Sequence, residues 1–159
     1  WTLPNMTAAA AAVLALAGEP DANEPVLLAA IAGTKPGGRP WHIALRHPDD
    51  TDKTAGTLSV SDTSIVTSGD YERYFIENGR RYHHIFDPHT GAPAQNGLRA
   101  VTVICKDSEK ADILSTALFV MGEKKAALFW KEHHGEFQMI LFRNDNTLMI
   151  TPDLQKIFT

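Results

Sequence analysis

Between Trp41 and Thr67 the chain alternates apolar and polar residues in short runs, and each run is broken by turn-forming residues. Trp41-His42-Ile43-Ala44-Leu45-Arg46 and Thr57-Leu58-Ser59-Val60-Ser61 both have the two-residue period of a half-buried strand. Pro48 stops the first, because it has no N–H to give a ladder. Further on, Asn78-Gly79 sits inside Glu77-Asn78-Gly79-Arg80, a pair that readily takes positive φ at both turn positions. It predicts a hairpin whose strands run over Tyr71–Ile76 and Arg81–Phe86. Helical patterns do not recur between strands, so a parallel sheet built from βαβ units is excluded. The expected fold class is α+β, a mostly antiparallel sheet with helices packed on it.

The other elements follow the same signals. Val26–Ala32 is a short apolar strand ending at Gly33, after a polar turn over Asp21–Pro25. Thr34–Pro40 is a hairpin-like loop dense in breakers, and Asp49–Gly56 reads as a solvated loop. Ser64-Ile65-Val66-Thr67 leads into a Ser68-Gly69-Asp70 turn, and Ala100–Lys106 is a strand of the buried type. A helix from Glu109 to Met121 has Ser108 as N-cap and Gly122 at its end; a second, Lys124–His133, stops at Gly135. Phe137–Phe142 and Thr147–Thr151 form a last hairpin. Near the start, Met6–Ala17 predicts an Ala-rich helix capped by Asn5 or Thr7 and stopped by Gly18 and Pro20. That stretch is too short for a membrane span and lacks the basic flank of a signal peptide. The chain opens at Trp1 without an initiator Met, which suggests a piece of something longer.

At 159 residues and 43% hydrophobic, the chain can bury one sizeable core. A formal charge of −4 with no run of Lys or Arg argues against a nucleic-acid or polybasic membrane surface. The single cysteine, Cys105, rules out an internal disulfide and reads as a buried thiol in the run Val101–Cys105.

Candidate chemistry centres on Asp112 and Thr116, four residues apart in Ala111–Gly122. On a helix they share one face, offset by about 40° and about 6 Å along the axis. A carboxylate and a hydroxyl are hard oxygen ligands of the kind Mg²⁺ takes. Their apolar neighbours Ile113, Leu114, Ala117, Leu118 and Val120 suggest a helix buried around this polar pair. A satisfied polar face, or a carboxylate favoured near a helix start, remains open as the plainer account. His83 and His84, with Asp87 and His89, invite a zinc reading, but adjacent strand residues point to opposite faces. His133 and His134 fit a helix C-terminus. Ser68-Gly69-Asp70-Tyr71 lacks the second glycine of a hydrolase elbow. It could instead bring backbone amides near an anionic ligand.

The order of these segments adds a resemblance. Ser68–Phe75, then Gly79–Ala94 containing His83-His84-Ile85-Phe86-Asp87-Pro88, then Ala111–Ala117 resembles the C-terminal part of ApbE-type FAD:protein FMN transferases. Gly33–Trp41 is similar to that family's loop before a strand. The resemblance implies an enzyme that uses FAD and Mg²⁺ to move FMN onto a threonine hydroxyl of an acceptor flavoprotein, releasing AMP. Asp112 and Thr116 match the metal-binding pair. Ser115 stands where some relatives carry a second acidic residue, which leaves a second ion without that ligand. His84 and Ile85 match the stretch along the flavin nucleotide, and Ser68, Gly69 and Asp70 match the turn bordering the site. The chain departs from the pattern at Leu28–Ala32, which replaces a glycine-glycine-aspartate strand end. The family's N-terminal half is expected either in a longer form of this polypeptide or in a second chain. Residues 1–159 are then a single domain, the C-terminal portion of a flavin transferase. The family's habit implies a bacterial periplasm or cell envelope. Alternatives are an FAD pyrophosphatase giving FMN and AMP, or a non-catalytic module that binds flavin or protein.

Overall fold

Five strands form the central sheet, in the order β1-β4-β7-β8-β9, every neighbouring pair antiparallel. The structure, a computed structural model, describes residues 28–159, so the expected Met6–Ala17 helix, the Asp21–Pro25 turn and the start of the Val26–Ala32 strand lie outside the described residues. The strands of this sheet are β1 (Leu28–Ile31), β4 (Thr63–Gly69), β7 (Leu98–Cys105), β8 (Gln138–Arg143) and β9 (Leu148–Ile150). Two hairpins stand apart from it: β2 (Trp41–His47) with β3 (Asp50–Val60), and β5 (Tyr74–Glu77) with β6 (Arg80–His83). The helical segment α1 covers Ser108–Glu132.

The sheet is covered on both faces, which is why β7 carries apolar residues on both sides, Val101 and Val103 on one and Ile104 on the other. Val66, Val101, Val103, Met139 and Leu141 face α1, where they meet Ala111, Leu118, Phe119 and Ala126. Their sequence neighbours Ile65, Ile104 and Ile140 face the other way and pack with Ile43, Leu45, Leu58 and Val60 of the β2–β3 hairpin. The result is three layers, helix on sheet on hairpin. Leu58, Ile65, Leu118 and Phe119 have no exposed surface, and burying side chains of this size stabilises by roughly 1.5–3 kcal/mol each.

The expected helix pair is present, with its boundary where it was read. Gly122 takes φ 73° and ψ 165° inside α1, breaking it in two. Asn96 fills the break: its Nδ2 donates to the carbonyls of Phe119 and Val120, and its Oδ1 accepts from Leu98 N–H. At the other end the N-cap is Asp107 rather than Ser108, since Asp107 Oδ1 accepts from Lys110 N–H at 3.1 Å.

Three expectations are corrected. Asp49–Gly56 is not a loop: β3 begins at Asp50 and pairs with β2 across a register shift near Arg46. Asp52, Lys53 and Thr54 are exposed there, so no apolar alternation marks the strand and the backbone ladder alone holds it. Ser68 and Gly69 end β4 rather than making a turn, and the chain turns only from Asp70. The Asn78-Gly79 hairpin exists, both residues at positive φ, but its strands are shorter than expected because His84 leaves the ladder. The His84 N–H instead donates to Arg73 O at 3.1 Å. The tail was not anticipated at all: after a 3₁₀ turn over Pro152–Lys156, Thr159 and Thr57 exchange both backbone hydrogen bonds, at 2.7 and 3.0 Å.

Candidate functional site

At the end of β4 nearest the middle of α1, three hydroxyls meet. Ser68 Oγ lies 3.0 Å from Thr116 Oγ1 and 2.8 Å from Ser115 Oγ. Ser115 Oγ also donates to the carbonyl of Asp112 at 2.9 Å. Strand and helix are held in this register by the layer of Val66 and Val101 against Leu118 and Phe119. The expectation of a polar pair buried in the helix is wrong. Asp112 and Thr116 are both exposed, and the residue sealed in the interior is Ser115, which has no exposed surface. The helix stripe facing the sheet is Ala111, Ser115, Leu118, Phe119, Gly122 and Ala126. Asp112 and Thr116 are each one position beyond a member of that stripe.

Among the described residues, no three His, Cys, Asp or Glu side chains gather as a metal cage, and Asp112 has no ion-pair partner. What the surface offers a cation is one solvent-facing carboxylate and one hydroxyl, both hard oxygens. That set fits an ion such as Mg²⁺, which keeps several positions for water and phosphate.

Asp70 is buried and committed to cations of this chain. Its two oxygens accept from Arg99 Nε at 3.0 and 2.9 Å, and Oδ1 accepts from Arg81 Nη1 at 3.2 Å. Arg99 also pairs through Nη1 with Asp49 at 2.6 Å. The Asp70 N–H donates to Arg99 O at 3.0 Å, so its amide is engaged within the chain as well. Gly69 has the Tyr71 ring directly over it, and burial followed by the nearby Glu72 charge pushes the Tyr71 hydroxyl up to about 12.

The paired histidines separate because β6 ends at His83 and His84 lies outside the ladder. His83 is buried and held at both nitrogens: Nε2–H donates to Ala94 O at 3.0 Å, and Nδ1 accepts from Ile85 N–H at 3.3 Å. These bonds define a neutral tautomer, and burial holds the imidazole below its usual range. The ring stands edge-on to Phe119, 5.6 Å between centroids. Ile85 is itself a core residue, 4% exposed, with its N–H on His83 and its carbonyl accepting from Ala94 N–H at 3.0 Å. Its side chain therefore packs against the helix layer. His84 is exposed. Its Nδ1–H donates to Arg73 O at 3.3 Å, which leaves Nε2 free.

Beside His84 opens a cleft of about 460 Å³ lined by Arg73, Tyr74, Phe75, Tyr82, Phe86 and Pro93. Phe75 and Tyr82 stack at 5.1 Å, nearly parallel, and Arg81 lies over the Tyr74 ring at 4.2 Å. A larger groove of about 700 Å³ lies at the opposite end of the sheet, near Asp62, Cys105 and Lys110. It contains none of the candidate residues.

The structure thus brings Ser68 onto Thr116 and shares the Asp112 helix turn with them. Asp70 is assigned to a charge network and Ile85 to the core. Residues not singled out from sequence are Arg99, Arg81 and Asn96, whose roles depend on partners far along the chain. Ser115 did carry a signal, as a serine on the apolar side of its helix.

Comparison with known proteins gives these features a context. The ApbE family model matches residues 28–141. The FAD:protein FMN transferase of Treponema pallidum is 43% identical over 103 residues, covering 64% of this chain and 28% of that protein. The enzyme of the same name from Haemophilus influenzae is 41% identical over 111 residues, 69% of this chain and 32% of that one. Among solved structures, the ApbE protein of Thermotoga maritima superposes with a TM-score of 0.71 at 36% identity, over 79% of this chain and 40% of that chain. The flavinyl transferase ApbE of Pseudomonas stutzeri gives 0.63 at 34%, over 80% and 39%. The chain spans about a third of the length of these curated relatives. With that match running from β1 into β8, and with both Asp112 and Thr116 inside it, this chain belongs to the ApbE family.

Proposed function

We propose that this chain is the C-terminal part of a Mg²⁺-dependent FAD:protein FMN transferase, which moves FMN onto a threonine hydroxyl of an acceptor flavoprotein. The observation that carries this reading is the placement of Thr116 and Asp112 on the exposed side of α1, with the Thr116 hydroxyl tied to Ser68. In the transfer the threonine oxygen bonds to the phosphorus on the FMN side, the bridging P–O bond breaks, and AMP leaves with the bridging oxygen.

Asp112 and Thr116 would hold the cation, which when bound supplies neutralisation of phosphate charge and a template for the pyrophosphate. The chain's own residues do the rest. Asp70, locked to Arg99 and Arg81, fixes the end of β4 and so the position of Ser68. His83 holds the Ile85 backbone by one bond and Ala94 by the other, which sets where His84 leaves the hairpin. Because His84 donates its Nδ1–H to Arg73, its Nε2 can accept the proton of an incoming hydroxyl. The aromatic cleft beside it suits a flat ring system.

The test combines the chain, together with the family's N-terminal half in the same polypeptide or as a second chain, with FAD, Mg²⁺ and an acceptor bearing a target threonine. Covalent flavin fluorescence on the acceptor in a denaturing gel, lost in Asp112→Asn and Thr116→Val, supports transfer. AMP release without labelled acceptor points to a pyrophosphatase. FAD binding with neither product points to a binding module, and either result removes the proposal.

A further inference from the structure

The contacts of Thr116 determine where its proton lies. Each of Thr116, Ser68 and Ser115 has a single hydroxyl proton to donate. The Asp112 carbonyl can only accept, so the Ser115 proton is directed to it, 2.9 Å away. Ser115 must then be the acceptor in its 2.8 Å contact with Ser68, which assigns the Ser68 proton. Ser68 in turn must accept in its 3.0 Å contact with Thr116. Only the order Thr116 to Ser68 to Ser115 to the Asp112 carbonyl satisfies all three contacts.

We infer that this ordered hydroxyl relay keeps the Thr116 proton turned inward and the lone pairs of Oγ1 outward, making Ser68 and Ser115 positioning residues for a divalent cation held by Asp112 and Thr116. The inference rests on the metal reading proposed above. Ser115 is the anchor because it has no exposed surface: with water excluded, its hydroxyl has the Asp112 carbonyl as acceptor and Ser68 as donor. The outer residues of the relay take their proton order from it. A threonine free of such a relay would place its proton on either side and would oppose a cation for part of the time.

This order predicts an unusual pattern among variants. In Ser115→Ala the Ser68 proton loses its buried acceptor, and the Thr116 oxygen, 3.0 Å away, is the other side-chain oxygen that Ser68 contacts. Thr116 then becomes the acceptor and its own proton swings toward the cation side. Ser68→Ala removes only the acceptor for the Thr116 proton and forces nothing outward. The measurement is Mn²⁺ binding to the same protein that is used in the transfer assay, followed by the electron paramagnetic resonance signal of the free ion, with thermal melts to establish that each variant is folded. Ser115→Ala is expected to weaken Mn²⁺ about tenfold and Ser68→Ala about threefold, on the scale of one hydrogen bond. The Ser68→Ala/Ser115→Ala double variant is expected to recover to the Ser68→Ala value, because no serine proton is left to push Thr116 round. A purely structural role would make the double variant weaker than either single one. That result, or wild-type affinity in Ser115→Ala, overturns the relay while leaving the metal reading in place. Equal Mn²⁺ binding by wild type and Asp112→Asn, or none by either, removes the metal site itself and the relay with it.

Discussion

Asp70→Asn tests whether that carboxylate holds the fold or a ligand. The Asp70 and Arg99 side chains are only 12% and 13% exposed, so their attraction is little screened by water. Removing one partner of a buried pair typically costs about 3–5 kcal/mol, because the other charge is left without compensation. Two features lower that here. Asp49 keeps its 2.6 Å contact with Arg99 Nη1, and asparagine retains one oxygen to accept from Nε. About 2 kcal/mol is the expected loss. With an unfolding entropy near 2.1 cal/mol/K per residue, a chain this size should melt about 6 °C lower. Thermal unfolding followed by circular dichroism measures it, with urea titration giving the free energy directly. Adding Arg99→Met should restore part of the loss, since the more buried of the two guanidinium partners is then gone, Arg81 is 27% exposed and the half-exposed Asp49 can be solvated. The structural role fails if Asp70→Asn melts within about 1 °C of wild type, a small fraction of the expected shift. It also fails if the double variant is less stable than the single one by the full cost of Arg99→Met alone.

Three further outcomes are expected. Gly122→Ala should lose about 1–2 kcal/mol in urea unfolding, because φ 73° is strained for any side chain and a Cβ would stand 3.1 Å from Asn96 Cβ; an unchanged midpoint would mean the helix break relaxes freely. His83 is held below its unfolded value by burial, so the unfolded chain takes up its proton first. Its contribution to stability is therefore full above about pH 6.5 and declines as pH falls below that, and the wild-type urea midpoint should drop between pH 7.5 and 5.5 by more than that of His83→Gln. Asp112→Asn, at an exposed site, should change stability by no more than about 0.5 kcal/mol while abolishing Mn²⁺ binding; a large loss of stability would show a structural carboxylate instead.

Some of the site could be read without coordinates and some could not. Asp112 and Thr116 were legible because helical spacing is a local property of four residues. Their exposure was not, since the side of α1 that meets the sheet depends on which turn lies over Val66 and Val101. The apolar neighbours Ile113 and Leu114 suggested burial, yet Ile113 is 62% exposed. Asp70 looked like a turn residue because Arg99, its main partner, is 29 residues away. Ser68 reaches Thr116 across 48 residues, a pairing that no local pattern announces.

By itself the amino-acid order determined the elements whose cause is local: the alternation of β2, the positive-φ turn at Asn78-Gly79, the apolar run of β7 and the interruption at Gly122. Tertiary structure alone decided the first half of β3, whose exposed polar side chains leave the ladder to β2 to hold it, and the tail, where Thr159 pairs with Thr57 and the Phe158 ring packs over Gly56. It also decided the direction of the hydroxyl protons around Thr116. A proton's position follows from which acceptors lie within reach, and here strand β4 and helix α1 must first be packed together to bring them there.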